Sequence, residues 1–314
     1  MSLLEGRINR RGFVRSVAGC GAVARLANNA MGAGTGMFVA LNTSLTGGKV
    51  QWPEFARLAA RVGYGGVDLN LGAAMKEGVD ATRALLADLK LRLSFCNLPG
   101  APTRDEDAFR KGMDVLEDAA KFASAVGCDR MMVVMPPSSQ VPKDELRKTL
   151  KDRFTAIGEI LDRQKIRLGF EFLGPLQLRT RAPHEFIWRM NEMVDFAKEC
   201  GPNFGVVLDS WHWHHSGGTV DDIVRAGKSR IVTIHVSDAA KMPPEDVRDN
   251  QRLMPGDGVI DLTGFFKALR AIGYEDGVSP EPLGRVPKEM SAEEGARLGL
   301  ETTLAVMRKA GAIA

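Results

Sequence analysis

A chain of 314 residues with 44% hydrophobic and 26% charged residues has the composition of a soluble globular protein and is long enough to bury a sizeable core. Its 42 basic and 39 acidic residues leave a formal charge of only +3, which excludes the concentrated basic excess of a nucleic-acid surface and favours a small neutral or weakly acidic ligand. The four cysteines (Cys20, Cys96, Cys128, Cys200) are too widely spaced for a thiolate zinc site or a disulfide framework, and no apolar run reaches the roughly 18 residues of a membrane span.

The N-terminal stretch "NRRGFVRSVAGCGAVA" (9–24) sets paired arginines before a phenylalanine and a mildly apolar run of small residues, the layout of a twin-arginine export signal. Arg25 interrupts that run, and too few apolar residues precede Cys20 for "VAGC" (17–20) to act as a lipoprotein box. Periplasmic export and a basic or disordered N-terminus on a cytoplasmic protein are the two readings, and residues 1–35 are set apart from the fold.

From residue 36 onward, short apolar runs alternate with longer stretches whose apolar positions recur at helical spacing, the pattern of βα units. In chain order the predicted strands are "MFVALNTS" (37–44), "GVDLNL" (66–71), "LRLSFCN" (91–97), "RMMVVM" (130–135), "IRLGFEF" (166–172), "FGVVLD" (204–209), "RIVTIHV" (230–236) and "GVSPEP" (277–282). Stretches such as 52–64 and 107–128 supply crossover helices, and "SAEEGARLGLETTLAVMRKAG" (291–311) opens on a Ser-x-x-Glu capping box and closes on glycine. Eight such units over 36–314 predict an α/β fold, a single-domain (β/α)8 TIM barrel. A doubly wound sheet would want a glycine-rich phosphate turn after the first strand, and "NTSLTGGK" (42–49) fits neither known pattern.

In a parallel barrel the working groups sit at the C-terminal strand ends, which here read Asn42, Asn70, Asn97, Glu171, Asp209, His235 and Glu281. Taken singly, the charged ones have structural explanations: Glu171 an ion pair with Arg179 or Arg181, Asp209 a helix cap, His235 a core histidine, Glu281 a rim carboxylate. Together, at successive strand ends from the fifth to the eighth, three acids and an imidazole call for a compensating cation. Carboxylate oxygens and imidazole nitrogen suit a hard or borderline divalent ion.

The segments "FEFLGP", "VVLDSWH", "TIHVSDA" and "SPEPL", with the approach "PGDGVIDLTGFFKALRAIGYEDG" (255–277), resemble the metal-site strands of the xylose-isomerase-like TIM-barrel family, which includes ketose 3-epimerases, inosose dehydratases, hydroxypyruvate isomerases and endonuclease IV. The resemblance implies one divalent metal, Mn²⁺ first with Co²⁺, Mg²⁺ or Zn²⁺ as alternatives, held by Glu171, Asp209, His235 and Glu281. It further implies that Glu171 and Glu281 are paired acid/base groups acting on a sugar through an enediolate, and that His212 hydrogen-bonds a substrate oxygen. Pairing into a homo-oligomer is also implied.

Around this centre, Asn70 and Asn97 are placed at the mouth, and Trp211 and Trp213 as packing or sugar-stacking walls. Lys241 and Arg252, in the long proline- and charge-rich segment 238–258, are the cationic candidates for a substrate hydroxyl or phosphate; solvated loop charges are the alternative. His214 shares a face with His212 if the strand continues past Asp209, which would make an HxH pair; His215, ahead of "SGG", is read as surface and His184 as structural. Dehydration or lyase chemistry on a keto-sugar, inosose or keto-glycoside is the competing reading. An endonuclease IV-like activity lacks its further histidines, because Asn70, Asn97 and "GDG" (256–258) stand in those places. A non-catalytic sugar-binding barrel would have no need of two facing glutamates.

Overall fold

The eight apolar runs form eight parallel strands that close on themselves. The computed structural model describes residues 36–286 and 289–313, so the twin-arginine-like segment 1–35 lies outside the described residues. The strands are β1 Phe38–Leu41, β2 Gly66–Leu69, β3 Arg92–Asn97, β4 Arg130–Val134, β5 Arg167–Glu171, β6 Phe204–Asp209, β7 Ile231–Val236 and β8 Gly277–Pro280. Each pairs in parallel with its neighbours in the chain, and β8 returns to β1 through the Phe38–Gly277 and Val39–Val278 registers. The (β/α)8 barrel expected from the sequence is therefore the fold, and every barrel strand lies within its predicted run.

Burial explains why the runs read as near-continuous apolar stretches. Every residue of β2, β6, β7 and β8 is buried, since helices cover one face and the barrel interior the other. The helices are α1 Glu54–Val62, α2 Leu71–Glu77, α3 Val79–Leu89, α4 Glu106–Ala125, α5 Lys143–Arg163, a short α6 Leu176–Arg179, α7 Met190–Cys200, a short α8 Ser210–His215, α9 Val220–Ala226, α10 Leu262–Ala271 and α11 Ala292–Lys309. None among the described residues is long and apolar enough to cross a membrane. The capping box read in the sequence is present at α11: Glu294 N–H donates to Ser291 Oγ at 3.2 Å, and Ser291 N–H to Glu294 Oε2 at 2.9 Å.

Aromatic packing fastens the helices to the half of the barrel that carries the acidic strand ends. Phe154 of α5 lies 4.6 Å from Phe170 of β5, ring centroid to centroid, and Phe170 in turn lies 5.6 Å from Phe196 of α7 and 5.2 Å from Phe204 of β6. All four rings are fully buried, so removing one by Phe→Ala would cost about 3–5 kcal/mol. Inside the barrel the layer under the strand ends is polar instead: Ser279 Oγ donates to Asp68 Oδ1 at 2.6 Å and lies 3.4 Å from Ser94 Oγ, which lies 3.4 Å from Thr233 Oγ1. His184 is paired with Ser139 in a two-residue antiparallel bridge.

Candidate metal centre

Four side chains converge where β5 to β8 end. Glu171 and Asp209 are the last residues of β5 and β6, His235 is the penultimate residue of β7, and Glu281 follows β8 directly. Register brings them together, since Asp209 pairs with His235 and the Glu281 N–H donates to Val236 O at 2.9 Å. One donor atom from each of the four lies within 4.8 Å of the others. That is close to the span of ligands around a single ion bonded at about 2.0–2.3 Å. His235 Nδ1 lies 2.9 Å from Glu171 Oε1 and 3.4 Å from Glu281 Oε2. Three carboxylates and one imidazole, clustered with Glu171, Asp209 and His235 buried and Glu281 partly so, fit a divalent cation of the hard or borderline kind.

Two side chains in this structure supply the balancing positive charge. Burial alone would lower the His235 imidazole, but the adjacent Glu281 and Glu171 outweigh it and hold its pKa well above the usual value. Burial likewise opposes ionisation of Glu281, yet His235 and Arg252 bring its carboxyl down to about 2. Arg252 is the second cation. Its Nη1 lies 2.7 Å from Asp209 Oδ2 and 3.0 Å from Glu281 Oε2, while Nε and Nη2 reach Asp249 Oδ1 at 3.1 and 2.8 Å. The sequence offers Arg252 as a cation for a substrate hydroxyl or phosphate, or as a solvated loop charge; in the structure it is 2% exposed and its charge is spent on the acidic cluster.

The loop that delivers Arg252 is fastened by a residue that sequence reasoning left out. Asp238, just past β7, accepts N–H groups from Ala239 and Ile260 on Oδ1 at 2.8 and 2.9 Å, and from Gly256 on Oδ2 at 3.0 Å. Its backbone also exchanges two hydrogen bonds with Leu253, at 2.9 and 2.8 Å, next to Arg252. Gly258 is required there, because a Cβ would lie 2.2 Å from Ala239 O and 2.5 Å from Asp238 Oδ1. The signal was available in outline: an aspartate two residues beyond a strand, followed by a glycine-rich return.

The histidine cluster resolves differently from the strand-continuation reading. β6 ends at Asp209, whose Oδ1 accepts the Trp211 N–H at 2.7 Å and starts α8, so the helix-cap role and the metal-ligand position fall on one residue. In a helix, residues two apart point about 200° away from each other, so His212 and His214 do not form an HxH pair. His212 is buried with Nε2 3.1 Å from Arg252 Nη2, backing the acidic cluster. Trp211 is 1% exposed and packs at 4.4 Å on His215 rather than on a cavity wall. The sequence placed His215 at the surface; its Nε2 is buried instead, and burial, with His214, His212 and Arg252 nearby, lowers its imidazole to about 3. Lys241 lines a separate cavity of about 530 Å³ with His214, His215 and Met242. Arg179 pairs with Glu185 at 3.9 Å and not with Glu171.

The metal-type cluster opens into a cavity of about 670 Å³ whose lining includes Glu171, His235, Glu281, Asn70 and Asn97. The same cavity holds Asn42, Asp68 and Phe95, and the sequence alone singles out neither Asp68 nor Phe95. Phe95 stands 5.2 Å from the His235 ring. Asp68 accepts from Asn42 Nδ2 at 2.9 Å and from Ser279; burial pushes its carboxyl up to about 7 against those hydrogen bonds and the field of His235.

Comparison with known proteins agrees with this geometry. A family model described as xylose isomerase-like TIM barrel matches residues 56–305. An inosose isomerase of Bacillus velezensis is 26% identical over 208 residues, covering 66% of this chain and 72% of that protein. A 3-dehydroshikimate dehydratase of Pseudomonas putida is 25% identical over 261 residues, covering 78% of this chain and 39% of that longer protein. Among solved structures, the IOLI protein with a bound zinc atom superposes with a TM-score of 0.74 at 22% identity, covering 87% of this chain and 99% of that one.

Proposed function

The chain belongs to the xylose isomerase-like TIM-barrel family, and from that premise we propose that it is a divalent-metal-dependent isomerase or epimerase acting on a sugar or cyclitol ketone through an enediolate. The observation that carries this reading is the cluster of Glu171, Asp209, His235 and Glu281, whose donor atoms lie within 4.8 Å of one another and three of whose members face one cavity. The relatives named as inosose isomerase and dehydratase act, by those names, on ring ketones or their derivatives, and support the substrate class.

Glu171, Asp209, His235 and Glu281 would hold the ion, with Mn²⁺ the first choice and Co²⁺, Mg²⁺ or Zn²⁺ as alternatives. A divalent ion there supplies Lewis-acid polarisation of a carbonyl and its neighbouring hydroxyl. Glu171 and Glu281, approaching from β5 and from beyond β8, act as base and acid: one removes the proton on the carbon next to the carbonyl, and the other delivers a proton to the enediolate. Return to the same carbon from the other face is epimerisation; return to the neighbouring carbon is isomerisation. Asn70 and Asn97 take substrate hydroxyls at the cavity wall, and Phe95 offers its ring to the sugar's C–H face. Arg252 and His212 hold Asp209 and Glu281 in place from behind, with Trp211 packed beside them, and Lys241 serves a different part of the rim.

Loss of a β-hydroxyl from the same enediolate is the second reading, favoured by the similarity to a dehydratase. The test is a panel of keto-sugars and inososes in deuterated water with added Mn²⁺, Co²⁺ or Mg²⁺. Metal-dependent deuterium uptake next to a carbonyl, with product of unchanged composition, is the expected outcome. Release of water would move the assignment to dehydratase, and no uptake across the panel would overturn enediolate chemistry altogether.

A further inference from the structure

The cavity in front of the metal-type cluster has two chemically different ends. Its floor carries the carboxyl groups of Asp68, Glu171 and Glu281 and one imidazole, His235, and no lysine or arginine is part of its lining among the described residues. Arg252 is nearby, but it is 2% exposed and committed to Asp209, Glu281 and Asp249. Lys241 faces the other cavity. A phosphate entering here would find no lysine or arginine among the described lining residues to pair it.

The mouth is the opposite. Met75 of α2, Val115 of α4 and Val134 of β4 line it and are 37%, 49% and 46% exposed. Five large apolar side chains are exposed among the described residues, so three of the five stand around this one opening. Scattered exposed apolar side chains are ordinary, whereas a group of them bordering a ligand cavity marks apolar contact. Leu98 and Pro99 continue the same wall inward. The volume of about 670 Å³ falls within the range of pockets that enclose ligands of drug size.

Resting on the enediolate reading above, we propose that the substrate is an uncharged keto-sugar derivative bearing an apolar or aromatic substituent, its oxygens directed to the acidic floor and the substituent lodged against Met75, Val115 and Val134. A phosphorylated sugar finds no lysine or arginine in the described lining to pair it, and a free sugar leaves the mouth unfilled.

Calorimetric titration of the full-length, Mn²⁺-loaded protein with phenyl β-D-glucopyranoside, D-glucose and D-glucose 6-phosphate, the ring-closed hydroxyl analogues of the proposed ketones, tests this without requiring turnover. The phenyl glycoside should bind at least about tenfold more tightly than glucose, and glucose 6-phosphate more weakly than glucose. Val115→Asp and Val134→Asp, both at exposed positions, should erase the phenyl advantage while leaving Mn²⁺ affinity unchanged. No detectable binding of the phenyl glycoside, equal affinity for glucose, or a preference for the phosphate would overturn the proposal. So would a change in association state by light scattering in the Val115→Asp variant without any phenyl preference, which would assign the apolar collar to contact with a second copy of the chain. Deuterium uptake without phenyl preference removes only this inference; phenyl preference without uptake removes only the enediolate reading.

Discussion

Arg252 and Asp209 form an ion pair in which both side chains are withdrawn from water: Nη1 and Oδ2 are 2.7 Å apart, at 2% and 0% exposure. The same guanidinium reaches Glu281 and Asp249, and those three acids hold its pKa above the ordinary arginine value despite burial. One arginine thus neutralises and aims two of the four candidate metal donors.

Removing that cation strands buried carboxylates, and breaking a buried pair by deleting one partner costs about 3–5 kcal/mol. Arg252→Met should therefore lower unfolding stability in chelator by a few kcal/mol, and divalent metal should recover more stability in the variant than in the parent. Urea unfolding of both proteins with EDTA and with Mn²⁺ measures this. Equal metal-dependent gains in the two would show that Arg252 does not share the charge balance of the cluster.

Glu171 and Glu281 flank His235 at 2.9 and 3.4 Å and face the cavity, the positions a proton donor and acceptor need. Replacing either by glutamine keeps its size and one oxygen but removes its ability to carry a proton. General acid/base groups contribute typically about 10²–10⁴-fold, so Glu171→Gln and Glu281→Gln should each reduce solvent deuterium exchange by that order. Metal titration followed by thermal shift serves as the control, since a variant that has merely lost its ion shows no shift.

Much of this was legible in the sequence because parallel barrel strands are buried on both faces, so each stood out as an apolar run ending in a polar residue. The candidate ligand set Glu171, Asp209, His235 and Glu281 followed from those endings. What stayed hidden depends on partners distant in the chain. Arg252 meets Asp209 across 43 residues and Glu281 across 29, and nothing in "NQRLMPGDG" separates a buried arginine from a solvated one. The His212–His214 reading failed on a local competition, since the Asp209 side chain caps the next residues and turns a strand into a helix at once. Asp68 gave no signal because its hydrogen-bond partners, Asn42 and Ser279, lie 26 and 211 residues away.

Asp238 holds the arginine-bearing loop through three N–H groups and is itself 1% exposed. Stranding a buried hydrogen-bonding group costs about 1–3 kcal/mol, so Asp238→Ala should destabilise by several kcal/mol and loosen Arg252. Gly258→Ala should do the same by steric means, its new Cβ lying 2.2 Å from Ala239 O. The expected kinetic signature is a fall in kcat with the pH profile displaced, because the charge beside Glu281 is no longer fixed. If both variants lose stability but keep the parent's kcat and pH profile, the clasp is structural only.

His215 carries the clearest dependence on pH away from the acidic cluster. Burial first, and then the neighbouring His214, His212 and Arg252, lower its imidazole from an ordinary 6.5 to about 3. Its Nε2 has no hydrogen-bond partner among the described residues, and its ring packs on Trp211 at 4.4 Å. Between those two pH values the unfolded chain binds a proton at this position and the folded chain does not. Stability therefore falls as the pH drops from about 6.5 toward 3, and above that window the group contributes no pH dependence. His215→Phe keeps a ring against Trp211 and removes the titration, so its melting temperature should decline less steeply than the parent's across the same range. Proton uptake on unfolding at pH 5, measured by calorimetry in buffers of different ionisation enthalpy, should be smaller by up to one proton in the variant. Parallel declines and equal uptake in the two proteins would place the acid sensitivity elsewhere in the barrel.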